Sequence, residues 1–268
     1  MSVIENAISR MRNLGQQKPA EAAARSKARA PVAAEFAPTP QFQKVILDPV
    51  VLERNHVLPQ IADPAAQRAY KILRTRLLQR FTANQWRWLA VTSTRPGDGK
   101  TLTSINLAAA LSQEPNTRVC LIDLDLQRPQ VAAQLGMHFK AGLGEYFLGE
   151  AEAHQVIYSC ESPSIVVIPN SRTFEHSSEM LASARALELL RLIDTEMPQH
   201  IVIFDMPPLT SDDVLTFAPR VHGVLFVVAE GWTERATIEK AKEFLAEMNV
   251  VGVVLNRSAE RDDGLAYY

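Results

Sequence analysis

The sequence predicts an α/β fold, a doubly wound and mostly parallel sheet flanked by helices, behind a disordered N-terminal extension. Three observations carry this expectation. The apolar run Trp88-Leu89-Ala90-Val91 passes through a glycine-containing loop, Ser93 to Lys100, into a helical segment from Leu102 to Leu111. Two further buried-type strands, Arg118 to Asp123 and His200 to Asp205, each end in a carboxylate. Beyond them apolar runs and helix-length segments keep alternating, and βαβ crossovers force parallel pairing.

At the N-terminus, Ser2-Val3-Ile4-Glu5 reads as a capping box, and Val3, Ile4, Ala7, Ile8, Met11 and Leu14 recur at helical spacing with Arg10 and Arg12 on the polar side. Residues 1–18 are thus expected to form an amphipathic helix. It could dock on a membrane protein, lie on a bilayer or fold back on its own domain. Residues 19–44, rich in Ala, Pro, Lys and Arg, read as a disordered linker. The main domain is expected over residues 45–258, with Val45 to Leu58 laid along its edge. Further strands are expected at Ile165 to Pro169, Gly223 to Val228 and Val250 to Leu255, and one helix from Ser178 to Ile193. Ser211-Asp212-Asp213 could tune a metal or cap the next helix, and capping is the simpler role.

The loop Ser93-Thr94-Arg95-Pro96-Gly97-Asp98-Gly99-Lys100-Thr101 has the parts of a phosphate cradle. Its glycines let backbone N–H groups converge on phosphate oxygens, the helix N-terminus adds a positive dipole, Lys100 reaches the outer phosphates and the Thr101 hydroxyl can ligate Mg²⁺. Thr94 stands where the first glycine of GxxxxGK[ST] normally does. In a parallel sheet the ligand crevice lies at the carboxyl ends of the strands, so Lys100, Asp123, Asp125 and Asp205 should meet around one phosphate and its metal. Four charged groups in an oily sheet are costly unless they have work there. The tail 259–268 ends in Tyr267 and Tyr268, two of five tyrosines. The roughly eleven residues beyond Arg257 span roughly 35 Å when extended, enough to reach a neighbouring subunit.

The loop, Asp123-x-Asp125, Asp205-x-Pro207-Pro208 and the tyrosine pair together resemble the cytoplasmic domain of bacterial tyrosine kinases of capsule and exopolysaccharide export, over roughly Ala65 to Tyr268. More distantly the chain is similar to the partitioning and septum-placement ATPases, with Arg95 where those carry a signature lysine. The resemblance implies a P-loop nucleotide-binding fold, ATP and Mg²⁺, and autophosphorylation of Tyr267 and Tyr268 in trans. It also implies a homo-oligomer activated by the cytoplasmic tail of a transmembrane polysaccharide co-polymerase. The catalytic set it implies is Lys100, Asp123, Asp125 and Asp205. Thr101, Asp125 and Asp205 hold the metal, and Asp123 orients or deprotonates the tyrosine hydroxyl. Thr94, Arg95, Pro96, Gly97, Asp98, Gly99, Lys100, Thr101 and Leu102 bind the phosphates, and Asn256 and Arg257 contact adenine. Two positions depart from the family pattern: Arg68 stands for the glutamate that opens an oligomer-contact helix continuing through Lys71 and Arg74, and Gln127 for an arginine. An ATP-binding switch without tyrosine transfer is the alternative reading.

Composition narrows the classes. The 268 residues, 47% of them hydrophobic, suffice for one large α/β core and its extensions. A formal charge of −2 and no basic run interleaved with aromatics argue against nucleic acid. No segment reads as a membrane span or signal-peptide core, so a cytoplasmic chain, peripheral to the membrane through a partner, is expected. Two cysteines, one of them Cys120 on a core strand, indicate no disulfide framework, and His138, His154 and His176 read as surface positions without metal-ligand spacing.

Overall fold

The strand ends that carry the acids are brought together by one sheet. The computed structural model describes residues 42–161 and 163–258. The expected N-terminal helix, nearly all of the linker, the tail and both terminal tyrosines lie outside the described residues. The strands are β1 (Gln43–Val45), β2 (Trp88–Ser93), β3 (Arg118–Asp123), β4 (Tyr158–Glu161), β5 (Ser164–Ile168), β6 (His200–Asp205), β7 (Gly223–Ala229) and β8 (Val250–Asn256). They form an eight-stranded sheet in the order β1-β4-β5-β3-β6-β2-β7-β8. Every pairing is parallel except β4 with β5.

Strand periodicity divides the core. Leu89 and Val91 of β2 and Leu121 of β3 join the cluster on one face, whereas Ala90, Cys120 and Ile122 join the cluster on the other. The first face is covered by α1 (Pro49–Arg54), α2 (Pro64–Asn84), α3 (Lys100–Ser112) and α4 (Val131–Leu135). The second is covered by α5 (Leu143–Leu148), α6 (Ser177–Ala182), α7 (Ala184–Glu196), α8 (Asp212–Phe217) and α9 (Arg235–Leu245). Burial on both faces is why these strands read as continuous apolar runs.

Three local outcomes differ from the sequence reading. The helix expected from Ser178 to Ile193 breaks at Ser183, whose extended backbone (φ −66°, ψ 159°) ends α6 and whose hydroxyl caps α7 by accepting from the Ala186 N–H. The antiparallel β4 departs from the expected parallel pairing. It is short, half polar, and joins β1 to a partner more than a hundred residues away in sequence, and such a pairing leaves no local signal. The first strand begins at Gln43, inside the segment assigned to the linker. As expected, the stretch after it lies against the domain: Asn106 of α3 accepts from the Leu58 N–H at 2.7 Å and donates to the His56 carbonyl at 2.9 Å. The basic helix is also engaged within the chain, with Arg74 donating to the Ala110 carbonyl and pairing with Glu114 at 2.5 Å.

Candidate functional site

From β2 the chain runs through α3 to β3 on one side of the sheet, while β7 lies on the other side of β2. The crevice at this reversal is where α/β sheets bind ligands. It contains a cavity of about 1020 Å³, with Gly97, Gly99, Lys100, Thr101, Asp125 and Asn256 among its lining residues.

The loop between β2 and α3 owes its shape to two glycines in the left-handed region, Gly97 (φ 89°) and Gly99 (φ 95°). A Cβ at Gly99 would also lie 2.0 Å from the Asn256 amide nitrogen. Thr94, in place of the usual first glycine, donates its hydroxyl to Asp98 Oδ2, which also accepts the Arg95 N–H at 3.0 Å. Asp98 Oδ1 accepts from the Thr233 hydroxyl at 3.0 Å, tying the loop to the segment after β7. From β8, the Asn256 amide donates to the Asp98 carbonyl at 2.8 Å, and Arg257 to the Gly97 carbonyl at 3.0 Å. The two residues expected at the adenine thus brace the loop, while also lining the cavity. Arg95 and Arg257 each lie 5.4 Å from the ring centre of Trp232, which is half exposed.

Lys100 is buried 2.6 Å from Asp125 and 3.7 Å from Asp205. Burial pulls the ammonium pKa down, but the Asp205 and Asp125 charges outweigh it and leave it above the ordinary value. Asp205 accepts from the Thr101 hydroxyl at 2.7 Å on Oδ2 and from the Ser104 hydroxyl at 3.0 Å on Oδ1. Ser104 escaped the sequence reading. Its spacing of three from Thr101 on one helix face was the available signal. Burial raises the Asp205 carboxyl even against Lys100 and Thr101.

Asp123 is held by backbone donors. It is fully buried and absent from the cavity lining. Its Oδ2 accepts the Gln130 and Val131 N–H groups at 3.0 and 2.9 Å, and Oδ1 the Asp125 N–H at 3.3 Å, so the carboxylate holds the start of α4. Burial, and then the Asp205 charge, push its pKa well up. Thr94 and Asp98 are buried and, with the half-buried Arg95, do not line the cavity, whereas Pro96 and Leu102 do.

Gln127, Ser177, Ser211 and Asp213 also line the cavity. Gln127 donates to both the Ser177 and Ser211 hydroxyls at 3.1 Å, and Ser177 donates to Asp213 Oδ1 at 2.9 Å. The cap of α8 is the Ser211 hydroxyl, which accepts the Asp213 N–H at 3.3 Å, rather than either of the acids Asp212 and Asp213, which lie in its first turn.

The donor set fits a metal that arrives with phosphates. Among the described residues no three His, Cys, Asp or Glu side chains could hold an ion by themselves. Mg²⁺ is usually held by one or two carboxylates, waters and phosphate oxygens, which matches Thr101, Asp125 and Asp205 around one lysine.

These features define a P-loop nucleotide-binding domain. The family model described as ParA, NUBPL iron-transfer P-loop NTPase, matches residues 85–262, and the chain belongs to that family. Both cysteines, Cys120 and Cys160, are buried on β3 and β4 and neither lines the cavity, so the iron cargo in that description finds no thiolate here. The chain is 26% identical over 221 residues to the tyrosine-protein kinase YwqD of Bacillus subtilis, covering 81% of this chain and 92% of the relative. It is 28% identical over 186 residues to the succinoglycan biosynthesis transport protein ExoP of Rhizobium meliloti, covering 67% of this chain and 23% of that protein. The kinase domain of the Escherichia coli tyrosine kinase ETK superposes with a TM-score of 0.67 at 27% identity, over 77% of this chain and 82% of that one.

Proposed function

We propose that this chain is an ATP-dependent protein-tyrosine kinase that autophosphorylates in trans and so regulates polymerisation and export of a polysaccharide. The observation that carries the reading is the buried ammonium of Lys100 between Asp125 and Asp205 at the head of a large cavity. The names of the relatives supply the acceptor and the setting: two are tyrosine kinases, and the third is a transport protein of which this chain matches only a part.

In the proposed reaction the nucleotide's phosphates replace Asp125 as the partner of Lys100, which neutralises their charge, while the N–H groups of the loop and α3 take the remaining oxygens. The loop is already braced by Asp98, Asn256 and Arg257, so little ordering is needed when the nucleotide enters. Thr101, Asp125 and Asp205 would hold Mg²⁺, which when bound neutralises charge between the outer phosphates. Tyr267 and Tyr268 of a neighbouring copy serve as acceptors in a homo-oligomer. Among the described residues no helix is long and apolar enough to cross a membrane. The activator is accordingly proposed to be the cytoplasmic tail of a transmembrane polysaccharide co-polymerase, which brings the chain to the inner face of the membrane.

The burial of Asp123 favours a second reading, an ATP-binding switch that changes assembly without tyrosine transfer. One experiment separates them: incubation with ATP and Mg²⁺, with and without candidate partner tails, followed by phosphotyrosine mapping, with Lys100→Ala as control. Phosphate on Tyr267 or Tyr268 that vanishes in the variant supports the kinase. Nucleotide binding without phosphotyrosine under every partner condition supports the switch.

A further inference from the structure

Among the described residues three cations line the cavity, Lys100, Arg128 and Arg257. Two of them are engaged: Lys100 lies between Asp125 and Asp205, and Arg257 donates to the Gly97 carbonyl and lies against Trp232. Arg128 is exposed, and its guanidinium makes no ion pair among the described residues. Its backbone N–H donates to the Asp125 carbonyl at 3.2 Å and to Asp125 Oδ1 at 2.9 Å. That turn keeps the two Cα atoms within about 7 Å of each other, and the long side chain carries the charge about as far again towards solvent. A cation without a counter-charge therefore stands beside the carboxylate that holds Lys100.

The sequence supplies an anion at a matching distance. Beyond β8, Asp262 and Asp263 precede Tyr267, and the four or five residue steps between them span about 13 to 18 Å when extended. Glu175 and Asp212, exposed at the same cavity, would repel that acidic stretch, which leaves Arg128 to receive it. We propose that Arg128 is a specificity-determining residue of the acceptor side, pairing with Asp262 and Asp263 of a neighbouring copy as its tyrosines approach the phosphates. The inference rests on the kinase reading for the purpose of the approach, not for the existence of the contact.

The test is the binding of fluorescein-labelled peptides of residues 258–268 to the full-length chain with Mg²⁺ and ADP, read by anisotropy. One peptide is natural and the other carries lysine at positions 262 and 263. The wild type should prefer the natural peptide by about tenfold at low ionic strength, and added salt should shrink that preference. Arg128→Glu should reverse it while leaving ADP affinity unchanged, with a thermal melt reporting that the fold is intact. Lys140→Glu makes the same change of net charge at an exposed residue outside the cavity lining and should keep the wild-type preference. A rescue of the lysine peptide by Arg128→Glu alone is not expected of a general charge effect. No preference in the wild type, the same preference in Arg128→Glu, or an equal reversal in Lys140→Glu would overturn the proposal. If the wild type forms no phosphotyrosine from ATP yet the preference reverses in Arg128→Glu, the kinase reading fails and the contact with the tail stands.

Discussion

The strand β6 begins at His200 and ends at Asp205, and both side chains are buried, yet the two ends treat charge in opposite ways. At the amino end burial, followed by the charges of Arg118 and Arg87, lowers the His200 pKa to about 4, and its Nδ1 has no hydrogen-bond partner. Nearby, His222 Nδ1 accepts the Trp88 N–H at 3.1 Å, which requires that nitrogen unprotonated, and Arg87 stacks on Trp88. At the carboxyl end, Asp125 and Asp205 share one buried lysine, and Asp205 accepts from two hydroxyl donors. Burial alone drives ionisable groups towards neutrality. Where a chain instead collects charges and surrounds them with donors, it is holding them for a ligand.

The comparison breaks most visibly at Lys100. Lys100→Met leaves Asp125 and Asp205 without their counter-charge and should lower nucleotide-dependent phosphoryl transfer at least about a thousandfold, read by single-turnover kinetics with labelled ATP. Next in size is Gly99→Ala, which combines positive φ with a Cβ 2.0 Å from Asn256 and should cost about 3 kcal/mol in urea unfolding. Gly97→Ala meets nothing within 4 Å and should cost only about 1 kcal/mol, from backbone strain alone.

The amino end predicts a pH dependence. His200 is depressed from 6.5 to about 4 on folding, so the unfolded chain binds the proton first as pH falls. The stability His200 contributes is therefore fully present above pH 6.5 and is lost down to about pH 4, by up to about 3 kcal/mol. His200→Gln should flatten the stability profile across that window, and the acid arm of a pH series of denaturant melts measures it. Smallest is Ser104→Ala, which removes one donor from Asp205 and should cost about 1 kcal/mol while weakening Mg²⁺-dependent nucleotide affinity only a few-fold.

Much of this was legible in the sequence, because strands buried on both faces write apolar runs and a phosphate loop needs glycine at fixed offsets. The parallel sheet, the loop, and the positions of Lys100, Asp125 and Asp205 followed from those rules. What stayed hidden depends on long-range partners. Nothing local distinguishes Asp123, whose Oδ2 holds the start of α4, from Asp125, two residues away at the cavity. Asp98 reads as a loop acid until Thr94 and Thr233 are found on its two oxygens. Gln127, a departure from the family pattern in sequence, gains meaning only beside Ser177 and Ser211, which come from segments 50 and 84 residues away.

The carboxyl end of the sheet is arranged to hold its charges for a metal-bound nucleotide. Calorimetric titration of ADP into the full-length chain, in Mg²⁺ and in EDTA, with Lys100→Met alongside, tests it most directly. Binding should weaken at least about tenfold without the metal and be lost in the variant. Equal affinity with and without Mg²⁺, or undiminished binding by Lys100→Met, would contradict it.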